Sequence, residues 1–427
     1  MTAVSQPTTA APHELGIAAR RALRFARVRG IVFAALGLIA LRAAVGTFGV
    51  PTVFSFWVDR QGGESAVLTT SVGVLWLLAG AASGAVGVVQ IARGTRLRWR
   101  RMLGVVIPLY VAAILGALLG GKAANLTGVF AGSLELAAPI AMGAFAGILS
   151  ERSGMLNIAI EGKFLVGACV AAVVASVTGS VIAGPAAAMI AGAGVGLLLA
   201  WLGIRHKVDQ IIAGTVVNIG AVGVTNFLFL RVLSRNTELN RPPTIEAIRI
   251  PILADIPVLG PVLFSGTPYL YIAIGLMVFL TYMLFRTRWG LRLRASGEQP
   301  SAAGTVGIDV VKIRYRAMLL AGAIAGLAGS YLSLSSAGSF QMGMSAGRGF
   351  IALAATIFGA WHPVGAFGAA LVFGFSDAVQ ALMSILGVDV PPQLLNSVPY
   401  IVTIVVVAGV VGRVRGPAAA GQPYEQG

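Results

Sequence analysis

Unbroken apolar runs constrain this chain more than anything else in it. They fall at about 31–57, 66–92, 102–120, 131–149, 154–177, 180–203, 210–233, 269–286, 316–336, 340–361, 363–386 and 398–412. A water-soluble core cannot take up that many runs. A bilayer can, as helices, because each helix satisfies its own backbone groups inside the hydrocarbon. The runs are continuous and do not alternate, which excludes a membrane β-barrel. Composition agrees: 57% of the 427 residues are hydrophobic and only 11% are charged, against about 25% charged in soluble domains. The expected fold is all-α, a polytopic helical membrane protein with about 12 membrane segments. Several runs fall short of the roughly 20 residues of a straight span and are expected to be tilted, broken or re-entrant. Glycine, at 56 residues, suits close helix crossings, as in the spaced pairs Gly80/Gly84 and Gly322/Gly326.

The formal charge is +16. In a soluble protein this would suggest nucleic acid as a partner. Here the basic residues cluster in short loops between spans, without interleaved aromatics, and a positive-inside topology accounts for them. With both termini cytoplasmic and the runs alternating, the inner segments hold Arg20, Arg21, Arg24, Arg27, Arg29, Arg93, Arg96, Arg98, Arg100, Arg101, Arg152, Arg205 and Lys207. They continue with Arg286, Arg288, Arg292, Arg294, Lys312, Arg314, Arg316, Arg413 and Arg415, which makes 22. The outer side holds seven: Arg60, Lys122, Arg231, Arg235, Arg241, Arg249 and Arg348. Residues 1–30 are read as an uncleaved cytoplasmic tail and 416–427 as a second one. The single cysteine, Cys169, lies in an apolar run, so neither an internal disulfide nor a thiolate metal site is expected.

Organisation follows from the spacing of the runs. Residues 31–120 form a three-span extension with chemically plain loops, and 130–415 form a core of glycine-broken spans. Within the core, 234–268 carries Pro242, Pro243, Pro251, Pro257, Pro261 and Pro268 and cannot be a span. It reads as an outer cap, either a contact for an external partner or a plain connection. The basic segment 286–316 reads as an elaborate inner loop on which something docks.

Few motifs carry chemistry. Gly116 to Ala123 matches most of a P-loop, but Ala123 stands where the magnesium-binding hydroxyl belongs, and an apolar helix precedes it in place of a strand. The match is fortuitous, so any ATP would be hydrolysed by a partner. Charges within spans are costly and usually face a cavity or a partner. Asn157, Glu161 and Lys163 are polar within an apolar stretch. Glu161 and Lys163, two apart, do not share a helix face, so Glu161 needs another neighbour or water. Asn218 and Asn226 lie near one face of their span, as do Asp377 and Gln380 of theirs. Each set lines a polar path or glues helices together. The Gly343–Gly349 stretch precedes a short apolar run, suggesting a broken helix. His362 reads as a turn residue or a proton relay.

Three stretches in order carry a resemblance: GILSERSGMLNIAIEGKFLVGA, WGLRLRASGEQPSAAGTVGIDVVKIRYRAMLLAGAIAGLAGSYLSL and GRGFIALAATIFGAWHPVGAFGAALVFGFSDAVQ. Over about 130–427 the chain resembles permease subunits of bacterial ABC importers for nucleosides, in a family shared with ribose-type sugar and branched-chain amino-acid permeases. The end GPAAAGQPYEQG is also similar to nucleoside-type members. The resemblance implies a non-enzymatic transport subunit in the bacterial plasma membrane. It implies a second permease subunit, homologous or identical, two cytoplasmic ABC ATPase subunits and an extracellular substrate-binding lipoprotein as partners. No cofactor or metal is expected in this chain, with ATP and magnesium in the ATPase. The coupling helix is expected at Gly297 to Gly307, where Glu298, Pro300, Ala302 and Ala303 match the family pattern. Asn157, Glu161, Asn218, Asn226, Asp377 and Gln380 are expected along the substrate path. Two other classes stay open. A proton-coupled secondary transporter would use Glu161 or Asp377 as its carboxylate, and a membrane scaffold would need no polar residues at mid-membrane positions.

Overall fold

The structure is a computed structural model that describes residues 12–58, 64–94, 99–119, 121–387, 397 and 415–424. Among the described residues, ten helices are long and apolar enough to cross a membrane. The expected run at 398–412 lies outside them. The described residues form two compact units, one within Met1–Leu126 and Leu382–Asp389, the other within Thr127–Ala381 and Val390–Gly427.

The first unit contains helix α1 (Pro12–Val45), strands β1 (Pro51–Val58) and β2 (Glu64–Ser71), helices α2 (Val72–Arg93) and α3 (Trp99–Leu119) and the short strand β3 (Ala123–Asn125). Two expectations change here. The polar stretch before residue 31 is helical from Pro12 and continuous with the first span. The apolar runs 31–57 and 66–92 are each part helix and part strand. Their facing ends pair as an antiparallel hairpin, with Pro51 opposite Ser71 and Phe54 opposite Leu68. β-branched and aromatic side chains, Val53, Phe54, Thr69 and Thr70, favour the pleated form. Helices α1 and α2 touch through glycine: a methyl on Gly37 would meet the Gly80 carbonyl and the Gly84 amide. Tyr110 of α3 donates to the Leu36 carbonyl (2.8 Å), and its hydroxyl meets Ser83 Oγ (3.0 Å), tying α3 to both.

The second unit contains α4 (Leu126–Arg152), α5 (Ile160–Thr178), α6 (Ala183–Ala200) and α7 (Gln210–Leu228). After a proline-rich segment with β4 (Ile248–Arg249), α8 (Leu259–Leu263) and β5 (Ser265–Gly266) come α9 (Pro268–Arg286), α10 (Arg288–Glu298), α11 (Pro300–Thr305), α12 (Val310–Tyr331), α13 (Arg348–Phe358) and α14 (Pro363–Ile385). Helix α12 is buried along most of its length and packs on α5 and α6. The crossing depends on small residues. Methyls on Gly322 and Gly326 would fall on the Gly192 and Ala188 carbonyls of α6, and one on Gly329 would fall on the Phe164 carbonyl of α5. Without a hydrophobic driving force between helices in lipid, this backbone proximity supplies the dispersion contact.

The run 340–361 is not a span. Only Arg348–Phe358 is helical, 11 residues, about 16 Å of rise and so about half of the hydrocarbon thickness. It runs beside α4 in the same direction: Thr356 Oγ1 donates to the Ala144 carbonyl (3.1 Å), and Arg152 Nε donates to the Trp361 carbonyl (3.1 Å). The turn to α14 places Ala360 and Trp361 at φ +54° and +53°, a backbone that non-glycine residues rarely adopt. Glu151 holds it by accepting from Trp361 Nε1 (2.5 Å). His362 accepts from the Val364 amide at the start of α14 (3.2 Å) and stacks on Phe285. Burial, reinforced by the Arg152 charge, lowers its pKa, and its Nδ1 caps α14.

Candidate functional site

Two places in the second unit gather the residues that bear on function. The first is where two interrupted helices meet. After the α4 turn at Gly154 (φ +95°), the chain runs back alongside α7 before α5 begins. Leu156 N donates to Gln210 Oε1 (2.7 Å) at the first residue of α7. Asn218, eight residues on and about 12 Å along the axis, accepts from Gly162 N (2.8 Å) and donates to the Ile158 carbonyl (2.9 Å). Helix α5 therefore starts well inside the membrane-spanning layer, and Asn218 supplies partners for backbone that no helix satisfies. Glu161, in the first turn of α5, accepts from Ser345 Oγ (2.5 Å), Gly347 N (2.9 Å) and Gly349 N (2.7 Å). The last two amides belong to the amino-terminal end of α13, whose dipole also favours the carboxylate. Gly349 permits the approach: a methyl there would strike the Glu161 backbone.

The expected path residues thus divide. Glu161 and Asn218 spend their hydrogen bonds inside the fold and hold the broken helices to each other. Asn157, fully buried, accepts from the fully buried Lys163 Nζ (2.5 Å), while Asn157 Nδ2 has no partner. Asp377 pairs with Arg348 at 3.5 Å, one residue from two of the glycines that Glu161 binds. Asn226 stands further along α7, its Oδ1 buried without a partner. Gln380 lies one turn beyond Asp377 on α14. Arg348, expected on the outer side, is a partly buried ion-pair member. Unforeseen was Glu135 of α4, which accepts from Thr267 N (2.6 Å) and Oγ1 (2.7 Å) where α9 begins. Its signal was present: a lone carboxylate in an apolar run.

The second place is the basic segment between α9 and α12. Thr287 Oγ1 caps α10 by accepting from Gly290 N (3.1 Å), Pro300 opens α11, and Asp309 caps α12 by accepting from Lys312 N (2.9 Å). That backbone bond, with the nearby Lys312 ammonium, lowers the Asp309 pKa. The stretch Gly297 to Gly307 holds α11. Gly297 is pressed against the Arg152 carbonyl, Ala303 is buried, and Gly307 (φ +83°) ends the motif. Glu298 and Ala302 line a groove of about 570 Å³ together with Ala295, Val306 and Ala418. Val306 is 73% exposed. This short helix thus carries an open, largely apolar groove. Also unforeseen were the burial of Arg314 and the packing of residues 415–424. Charge counting reads both as solvated.

Residues 134–408 match the family described as branched-chain amino acid transport system / permease component. The guanosine ABC transporter permease protein NupQ of Bacillus subtilis is 39% identical over 304 residues, covering 69% of this chain and 95% of NupQ. The nucleoside ABC transporter permease protein NupC of Lactococcus lactis is 34% identical, covering 69% of this chain and 96% of its own. A putative glucose ABC transporter permease protein, TsgC13 of Haloferax volcanii, is 30% identical, covering 70% of this chain and 98% of its own. No solved structure matches. With interrupted helices meeting inside the bundle and a structured basic loop at its end, this multi-pass membrane protein belongs to the branched-chain amino acid transport system permease family.

Proposed function

We propose that the chain is the permease subunit of an ATP-driven importer and forms its translocation path for nucleosides. The observation that carries this reading is the 39% identity to a guanosine permease across 95% of that protein's length. The chemistry of the second unit supports it. A nucleoside is neutral and offers ribose hydroxyls and base-edge donors and acceptors, so its path needs a few hydrogen-bonding groups among apolar walls. Glu161 has its acceptor oxygens satisfied by three donors, and Arg348 is paired with Asp377. Asn157 Nδ2 and Asn226 Oδ1 keep free capacity. Among the six path residues, these two have polar atoms left over for substrate once the path opens, while Glu161 and Asn218 hold the broken helices together.

In this reading cytoplasmic ABC ATPase subunits dock on α11, and they bind the ATP and magnesium. A second permease, identical or homologous, completes the path, and a substrate-binding lipoprotein docks on the proline-rich outer segment. The chain sits in the plasma membrane with both termini cytoplasmic. A proton-coupled mechanism fits less well, because its carboxylate must cycle freely, whereas Glu161 is fixed by three bonds and Asp377 is paired with Arg348. Uptake of labelled guanosine by cells expressing the importer tests the reading. Unlabelled nucleosides should compete, glucose, ribose and leucine should not, and uptake should survive a protonophore while ATP is maintained. Absence of guanosine uptake, with labelled sugar or leucine taken up in its place, would replace nucleoside as the substrate class, and collapse with the protonophore would replace ATP as the driver.

A further inference from the structure

Residues Arg415–Tyr424 have no helix or strand, yet they lie fixed against four separate parts of the second unit. Ordering such a segment costs backbone entropy that only outside contacts can offset. The contacts are specific. Ala419 N donates to the Gly297 carbonyl (2.9 Å), and Gly421 N donates to the Gly154 carbonyl (3.1 Å). Ala418 N reaches Glu298 Oε2 (3.4 Å). Gly416 lies against the Trp361 ring, and the Tyr424 hydroxyl lies against Gly304 of α11. One short stretch thus touches the α4–α5 turn, α10, α11 and the α13–α14 turn.

Arg314 explains why the segment stays there. It is the largest fully buried side chain among the described residues, at 1% exposure. Nη1 donates to the Gln422 carbonyl (3.0 Å), and its guanidinium sits 6.0 Å over the Tyr424 ring. Gly154 makes room, since a methyl there would strike Arg314 Nη2. A buried cation is costly unless it is paired or bonded, and Arg314 Nε and Nη2 are buried without a hydrogen-bond partner. What arginine adds is a grip on the last residues of the segment.

We propose that Arg415–Tyr424 is a strap that sets the position of α11, so that movement of this helix is delivered to the α4–α5 and α13–α14 turns, with Arg314 as its positioning residue. Those two turns lead to the elements that Glu161 joins. Pulling on α11 therefore displaces the broken helices together, where a free tail would let α11 move alone. The strap also supplies Ala418 to the wall of the groove beside α11, so whatever seats in that groove rests partly on it. The proposal rests on the importer reading above.

The importer, reconstituted with its ATPase and binding protein in proteoliposomes, provides the test. The readout is ATP hydrolysis with guanosine-loaded binding protein relative to hydrolysis without it, together with guanosine moved per ATP. A chain ending at Arg415 is expected to assemble and to lose stimulation about fivefold, as is Arg314→Lys in smaller measure. A finer pair isolates the contact. Gly304→Ala would put a methyl 2.5 Å from the Tyr424 hydroxyl oxygen and should lower stimulation. Tyr424→Phe removes that oxygen and should restore the Gly304→Ala protein. Wild-type stimulation in the shortened chain, or no rescue by Tyr424→Phe, overturns the strap. If the shortened chain fails to accumulate, the rescue pair decides alone. A wild-type complex that guanosine-loaded binding protein does not stimulate, while another loaded substrate does, removes nucleoside from the function reading and leaves the strap to be scored with that substrate. No stimulation by any substrate removes both.

Discussion

Glu161 shows how a buried charge can serve architecture. Its two oxygens receive one hydroxyl and two amides from the segment before and at the start of α13. Removing the acceptor leaves three donors facing a dry interior, each worth about 1–3 kcal/mol when unmade. Glu161→Leu should therefore destabilise the detergent-solubilised protein by about 3 kcal/mol or more, and Glu161→Gln, which keeps one carbonyl acceptor, by less. Thermal unfolding measures both. If Glu161→Leu unfolds like wild type and yet loses uptake, the carboxylate serves the substrate path and not the fold. The sequence showed half of this. Glu161 cannot share a face with Lys163, so another neighbour was required, but the neighbour lies 184 residues away, at Ser345, and no local pattern reaches it. Arg314 misleads for a related reason. Positive-inside counting sees a basic residue at the edge of a span, and only tertiary packing shows that its head is buried. Cys169, by contrast, lies in an apolar run and is buried among the helices.

At the scale of elements, caps and glycines were the legible signals. Thr287, Pro300 and Asp309 each start a helix in the segment 286–316, and the chain obeys all three. Strand against helix was less legible, because an apolar run near Pro51 satisfies either period until its hairpin partner is known. The same holds for 340–361, where hydropathy extends through a loop that Glu161 and Asn240 tie down; Phe340 N donates to Asn240 Oδ1 (2.7 Å). The glycine pair Gly322/Gly326 could be read as a crossing, but its partner, Gly192 with Ala188, could not. That crossing gives a clean prediction. Gly326→Val drives a branched side chain into the α6 backbone, which cannot yield without separating the helices. It should cost about 3 kcal/mol or more and sharply reduce monodisperse protein in detergent. Gly194→Ala, on α6 with no atom within 4 Å of the added methyl, should stay within about 0.5 kcal/mol of wild type. Equal behaviour of the two variants in thermal unfolding would refute the crossing.

For the second unit as a whole, the contacts and the charge pattern bear on the same question from different directions. Hydrogen bonds place the end of α4, the α10–α11 segment, the α13–α14 turn and the strap on one face. That face carries Arg152, Arg286, Arg288, Arg292, Arg294, Lys312, Arg316 and Arg415. Across the unit, the proline-rich segment holds acidic partners for its own bases, with Arg249 2.9 Å from Asp255 and Arg241 3.7 Å from Glu238. On the first face Lys312 is likewise 2.9 Å from Asp309, so the contrast between the two faces lies in the number of bases, eight against the four at Arg231, Arg235, Arg241 and Arg249. Because Lys and Arg in short loops stay cytoplasmic, the expected orientation has α11 inside and the proline-rich segment outside. Val306 (73% exposed) and Ile252 (83% exposed) are the reporters. On a Cys169→Ser background, Ile252→Cys should react with an impermeant maleimide in intact cells. Val306→Cys should react only once the cells are opened. In the importer reading an ATPase reaches α11 and a binding protein the opposite side, so the reverse labelling pattern would dismiss the docking assignment along with the orientation.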